Sequence, residues 1–298
     1  MAGQALIEPR RFLDALGTEA ELLLDAARRV SPTAPVNSCP GFTVNEVVRH
    51  VGGVYRLTRG WILEGRAPQW HQQNPVPGQS TEDYLRAGLT ELLAEFRAHD
   101  ADTPAATWWA ADPTYGFWYR RMAHETTIHR IDLQLAAVDA GAARPDTFRH
   151  PGTREVGPAE HPDVNGDSTL PGGDERTSSR DADPFTPVAA DYALDGVDEA
   201  LAVWFGQRLA MLGLSGTATK SVGVRTGGHH WIARAGPGFT EAWPCSGREA
   251  QRADALVSGS PMQVYLWMWG RRDHRAVTWT GDVDAAGQLW ALMRLATR

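Results

Sequence analysis

Cysteine and lysine are nearly absent from this chain. Its two cysteines, Cys39 and Cys245, stand far apart, which excludes a disulfide scaffold and any four-cysteine zinc module. Lys220 is the lone lysine, so positive charge rests almost wholly on arginine. The net charge is −7, which leaves no basic footprint for nucleic acid. No run of about 18 apolar residues is present, so no transmembrane helix is expected. The first ten residues lack the charged start, apolar stretch and cleavage site of a signal peptide. These absences predict a soluble, cytoplasmic protein. Apolar residues are plentiful, at 42% of 298, enough for a large core without covalent cross-links. The length suggests two domains.

Helical spacing recurs four times in residues 1–140. Phe12, Leu13, Leu16, Leu22, Leu23 and Ala26 mark a helix within 6–30, and Pro32, Pro35 and Pro40 break it. Thr43 and Glu46 form a capping-box pattern that opens a second helix running to about residue 64. A third is expected over 81–99 and a fourth over 116–140. Four amphipathic helices without intervening strands imply a four-helix bundle. Residues 141–190 change character. They are dense in Gly, Pro, Asp and Ser, cannot bury a core of their own, and read as a linker or insertion, part of it mobile. Residues 191–298 alternate between helix and strand signals and predict a small α+β domain. Its helices are expected at 194–212, 261–269 and 283–296. Its strands are expected at 218–226, 229–235, 239–243, 255–258 and 275–280, with a hairpin at Gly227-Gly228.

The fourth helix carries the chemistry. Glu125 and His129 are four residues apart and share a face. His124 lies about 140° away around the helix. This excludes the HExxH arrangement, in which both histidines bind and the glutamate is a base. Met122, Glu125, His129, Asp132 and Ala136 form an inward stripe, and a buried carboxylate there must be paired or bind a metal. On the second helix, His50 is the polar member of the inward row Val47, His50, Val54, Leu57. Two histidines and a carboxylate suit a catalytic zinc with an open fourth position. They also suit nickel, iron or manganese, or a buried hydrogen-bonded set without metal. Asp132, three residues beyond His129, is placed to orient a ligand histidine through its second ring nitrogen.

Several stretches resemble the mycothiol-dependent maleylpyruvate isomerase-like family, which belongs to the DinB-like metal-binding bundles. They are Cys39-Pro40-Gly41-Phe42-Thr43-Val44, His50-Val51-Gly52-Gly53-Val54, and the run Arg121 to Asp132. In the C-terminal half they are Asp195-Gly196-Val197-Asp198-Glu199, Trp269-Gly270-Arg271 and Gly281-Asp282. The resemblance implies a DinB-like bundle followed by a sterol-carrier-protein-like α+β domain. It implies that His50, Glu125 and His129 are zinc ligands and that mycothiol, a low-molecular-weight thiol, is the cosubstrate.

The expected activity is therefore zinc- and mycothiol-dependent transfer of the thiol to a small electrophile. Maleylpyruvate isomerisation is the alternative, followed by a zinc hydrolase or a non-catalytic binding protein. The expected assembly is a monomer or homodimer. Arg271 is read either as a clamp for a carboxylate on mycothiol or substrate, or as a helix-end cation favouring the dipole. Arg130, just off the ligand face, reads as a surface or helix-packing ion pair. Trp108, Trp109, Trp118 and Tyr119 suit either a pocket wall or interface packing. Cys39 and Cys245 read as structural.

Overall fold

The computed structural model describes residues 5–69, 74–142 and 184–297. Four helices open the chain: α1 (Pro9–Arg28), α2 (Val44–Glu64), α3 (Thr81–Arg97) and α4 (Tyr115–Asp139). Local chemistry sets their starts. Pro9 occupies the first turn of α1, where a missing N–H costs nothing. At α2 the Thr43 N–H donates to Glu46 Oε2 at 2.7 Å, and the Thr43 hydroxyl accepts from the Glu46 N–H, completing the box. Ser80 and Thr114 cap α3 and α4. Helix α1 packs along α4, and α2 along both α3 and α4. Leu16, Leu23, Val47, Val51, Tyr55, Leu85, Leu92 and Phe96 are fully buried between them.

Helix α4 departs from the expected amphipathic pattern. Twenty of its 25 residues are buried, on every side. The helices of the bundle cover one flank, and side chains of the C-terminal half cover the other. An α-helix buried all round is normally apolar. This one carries Arg120, Arg121, His124, Arg130, Asp132 and Gln134, all buried, so each needs a partner.

The C-terminal half begins with α5 (Ala190–Glu199), which continues as a π-helical stretch (Ala200–Arg208) and ends as α6 (Leu209–Met211). Then follow β1 (Lys220–Thr226), β2 (His229–Gly236), β3 (Phe239–Pro244), α7 (Gly247–Ala250), β4 (Ala255–Ser258), α8 (Pro261–Met268), β5 (Thr278–Gly281) and α9 (Val283–Ala296). The sheet order is β3-β2-β1-β4-β5. Only β1 and β4 run parallel, with Val222 opposite Ala255. The connection between them therefore has to cross over, and α7 lies on it, against β1 and β2.

Two details of the C-terminal half differ from the sequence reading. The strand expected over 275–280 forms only from Thr278, because Asp273 accepts from the Arg275 N–H and starts a 3₁₀ turn at His274–Ala276. The short helix α7 was not expected, although Ser246 and Glu249 make a capping box for it. Most of the expected linker, residues 143–183, lies outside the described residues. Of its remainder, Phe185, Thr186 and Val188 are buried, and Thr186 lies against α4. There Thr186 O accepts from Arg130 Nη1 at 2.6 Å, and the Thr186 N–H donates to Gln134 Oε1 at 2.9 Å.

Gly196 sets how closely α5 approaches α4 and α8. A Cβ there would lie 2.3 Å from Tyr265 Cε2 and 3.0 Å from His124 Cε1. Both neighbours are fully buried rings that cannot swing away. Gly196→Ala is therefore expected to destabilise the protein by about 1–3 kcal/mol, the usual cost of overpacking. Urea unfolding checks this; an unchanged midpoint would refute the role of Gly196 as a spacer.

Candidate metal centre

His50 of α2 and Glu125 and His129 of α4 meet as the inward stripes predict. His50 Nε2 lies 3.2 Å from Glu125 Oε1, and His129 Nε2 lies 3.3 Å from the same oxygen. For metal–ligand bonds of 2.0–2.1 Å, the edge of a tetrahedron is about 3.3 Å. Both carboxylate-to-histidine separations thus match ligands of one small ion, and the three donor atoms lie within 4.8 Å of one another. The two imidazole rings stand edge to face with centroids 5.0 Å apart. Phe42, in the turn before α2, packs its ring against His50 at 5.7 Å. The side chains of His50, Glu125 and His129 keep 22%, 15% and 10% of their surface exposed. A small molecule can therefore reach them.

A second set of residues orients His129. Its Nδ1–H donates to Asp132 Oδ2 at 3.0 Å, as the spacing suggests, which leaves Nε2 facing Glu125. Asp132 is fully buried and accepts three further bonds. Ser38 Oγ donates at 2.6 Å, Arg271 Nε at 2.8 Å and Arg271 Nη2 at 2.7 Å. Burial alone would raise the Asp132 carboxyl; Arg271 and His129 outweigh it and hold the group well below the usual carboxylate range. Arg271 is thus engaged inside the protein. Its third nitrogen, Nη1, donates to the Trp269 carbonyl at 2.6 Å.

Gly270 explains how Arg271 gets there. Helix α8 ends in a Schellman motif, with Gly270 left-handed at φ 71°. The Gly270 N–H donates to Trp267 O at 3.0 Å, and the Arg271 N–H to Leu266 O at 2.8 Å. This closure turns the chain back so that Arg271 faces Asp132.

Glu125 has its own support. Its Oε2 accepts from Arg121 Nη2 at 3.1 Å, while Arg121 Nη1 donates to Glu199 Oε2 of α5 at 2.5 Å. Burial would raise the Glu125 carboxyl, but hydrogen bonds from His129 and His50 and the charge of Arg121 keep it well below its ordinary value. The same junction buries a further network. Arg120 pairs with Asp195 at 2.9 Å and Asp198 at 3.0 Å, and His124 Nε2 with Asp195 at 2.8 Å. His124 points away from the triad, as its angle on the helix predicts. Arg130 pairs with Glu19 of α1 at 2.6 Å, the helix-packing alternative.

The four aromatic residues before and within α4 are packing residues. Trp109, Trp118 and Tyr119 are buried, and half-buried Trp108 rests on Trp204 of the C-terminal half at 5.9 Å. Cys39, which the sequence left without activating neighbours, sits at the edge of the site. Its sulfur and donor atoms of His129 and Asp132 lie within 4.8 Å of one another. Burial and the Asp132 charge push its thiol up to about 11, so it stays protonated at neutral pH. Asp132 is already saturated with donors, so this second cluster is a weaker ligand set than His50, Glu125 and His129. Spacing could have revealed Arg121: residues 121, 125 and 129 form one stripe in steps of four. No spacing in the sequence marked Glu199 as the partner of Arg121 or Ser38 as a donor to Asp132.

Burial lowers the affinity of His129 for a proton, but Asp132 and Glu125 overcome this and raise its pKa to about 9. In the metal-free protein this contact contributes stability fully below about pH 6.5, the ordinary histidine value, and loses it as the pH rises through about 9. Magnetic resonance of the metal-free protein is expected to show the His129 ring titrating near pH 9. A titration at or below pH 6.5 would contradict the coupling.

Two sequence profiles match the chain. One, the mycothiol maleylpyruvate isomerase N-terminal domain, matches residues 13–134. The other, the MDMPI C-terminal domain, matches residues 191–288. Among solved structures, a crystal structure of a histidine-to-alanine mutant of the mycothiol-dependent maleylpyruvate isomerase aligns with TM-score 0.52 at 12% identity, over 95% of this chain and 98% of that one. A second crystal structure of that isomerase aligns with TM-score 0.49 at the same identity and coverage. No curated protein matches the chain. At this identity the structural likeness concerns the fold alone. The two profiles match in order and together span well over half of the sequence, and the chain belongs to the mycothiol maleylpyruvate isomerase family.

Proposed function

We propose that this chain is a zinc-dependent enzyme that uses mycothiol to attack a small electrophile. The observation that carries this is the convergence of His50 Nε2 and His129 Nε2 on one oxygen of Glu125 at 3.2 and 3.3 Å. Two neutral imidazoles and one carboxylate are a catalytic zinc set with one position left open. The donor spacing fits that ion, and the second nitrogen of His129 is already held by a carboxylate, the usual companion of a ligand histidine. Zinc bound there supplies one thing: a coordinated thiol loses its proton at neutral pH.

The chain's own residues do the rest. Asp132, backed by Arg271 and Ser38, keeps the His129 proton on Nδ1 and its Nε2 lone pair toward the site. Arg121 holds Glu125 in place. The reactive group is the mycothiol thiolate, since Cys39 keeps its proton. In transfer, the sulfur bonds to an electrophilic carbon; either a leaving group departs with its bonding pair, or the π pair shifts to the adjacent atom, which takes a proton, and the C–S bond remains. In isomerisation the sulfur adds to a conjugated double bond, the resulting single bond rotates, and the sulfur leaves with its electrons.

We favour transfer for one reason. A dicarboxylate substrate needs arginines to grip it, and among the described residues Arg120, Arg121 and Arg271 are engaged with protein carboxylates: Arg120 with Asp195 and Asp198, Arg121 with Glu125 and Glu199, Arg271 with Asp132. Isomerisation is the second reading, favoured by the description of the two profiles that match the chain. In either case Arg271 acts through Asp132 rather than as a free clamp.

The test is metal content on protein purified without added metal, followed by assay with mycothiol. About one zinc per chain is expected, lost in His129→Ala. Consumption of an electrophile such as a halogenated aromatic is expected to require mycothiol and to disappear with the zinc. Turnover that proceeds equally without thiol would replace this reading with a hydrolase. Absence of metal, even after zinc is added, would end the catalytic reading.

A further inference from the structure

Glu125 is not a symmetrical ligand. Its Oε1 faces both histidines, whereas Oε2 accepts from Arg121 Nη2 at 3.1 Å. Arg121 in turn is gripped from several directions. Its Nη1 donates to Glu199 Oε2 at 2.5 Å, and its guanidinium lies over the rings of Trp204 and Trp269, 4.9 and 5.3 Å from their centroids. The side chains of Arg121 and Glu199 are 3% and 1% exposed. An arginine held this way has little freedom to release its carboxylate.

A carboxylate can bind a metal through one oxygen or through both. Binding through both crowds the position that a catalytic site keeps open, and raises the coordination number to five when water or thiol is also bound. An oxygen engaged in a buried, charge-assisted hydrogen bond is withdrawn from that competition. We propose that Arg121, anchored by Glu199, is a positioning residue that restricts Glu125 to single-oxygen ligation and so preserves the fourth position for the thiol. The inference rests on the metal reading above. Glu199 lies on α5 and Trp269 just beyond α8, so the ligand geometry set in the bundle is completed only by the C-terminal half.

The simpler explanation is that Arg121 and Glu199 merely dock α5 on α4, as Arg120 and Asp198 do. Cobalt(II) separates the two, because four-coordinate cobalt absorbs strongly in the visible and five-coordinate cobalt weakly. The parent protein is expected to show the four-coordinate spectrum. The double variant R121M/E199Q removes both charges together and avoids stranding one in the interior. It is expected to show the weaker five-coordinate spectrum, and to bind mycothiol about tenfold less tightly, read from the thiol-to-cobalt charge-transfer band. Glu199→Gln alone keeps side-chain volume and is expected to move both readouts the same way, to a smaller degree. It carries the test if circular dichroism shows the double variant unfolded. Asp198→Asn loosens the same junction without touching Arg121, and is expected to lower thermal stability and leave the spectrum unchanged. Parent-like spectra and thiol affinity in the Arg121 and Glu199 variants would overturn the inference. So would a five-coordinate spectrum in Asp198→Asn. A parent protein that takes up no cobalt would overturn the metal reading and this inference with it.

Discussion

Burying charge is the constraint on which this structure turns. Helix α4 carries three arginines, two histidines and an aspartate into the interior. Taking such groups out of water costs several kcal/mol per ion, and removing one partner of a buried pair costs about 3–5 kcal/mol. Each must therefore find a partner, and α4 cannot supply them all. Arg130 finds Glu19 on α1. Arg120 and Arg121 find Asp195, Asp198 and Glu199 on α5, and Asp132 finds Arg271 after α8. The bundle and the C-terminal half are thus joined by mutual neutralisation as well as by apolar packing. The segment Asp195 to Glu199 combines three acids that answer α4 with a glycine that lets α5 come close enough for them to do so.

The same pairing organises the candidate metal centre. His50, Glu125 and His129 all come from the bundle, and two of them are held in orientation from outside it. The chain Arg271–Asp132–His129 fixes one imidazole, and the chain Glu199–Arg121–Glu125 fixes the carboxylate. Trp269 joins the two, because its ring lies beside Arg121 and its carbonyl accepts from Arg271. The orientation of these bundle side chains is in this way tied to the folding of residues more than sixty positions further along the chain.

Much of this was legible in the sequence. The start of α2 followed from the cap at Thr43, because a cap is a local hydrogen bond. The three ligand candidates followed from polar residues in inward stripes, because helical periodicity assigns a face. The angle of His124 excluded it from the triad for the same reason. The misses are of another kind. Amphipathicity was expected of α4 because periodicity assumes that polar residues face water; here a second layer covers them. Cys39 gave no sign of its place beside His129, since ninety residues separate them. The 3₁₀ turn at His274–Ala276 replaced strand because one side chain, Asp273, captured a backbone N–H, a choice too local for a pattern of alternation to register.

By itself the sequence determined which residues could act as ligands and which faces they occupy, since both follow from spacing along single helices. It also carried the family resemblance, in motifs that hold the candidate ligands, their counter-charges and a close-packing glycine. Only the tertiary structure decided what the arginines do. Arg271 could equally have faced solvent, a substrate or a helix end. Its pairing with Asp132 depends on how α8 ends and where α4 lies, a long-range electrostatic match that no periodicity encodes. The same holds for Arg121. Its neighbour Glu125 is set by helical geometry, while its anchor Glu199 is set by the cost of leaving two opposite charges apart in a dry interior.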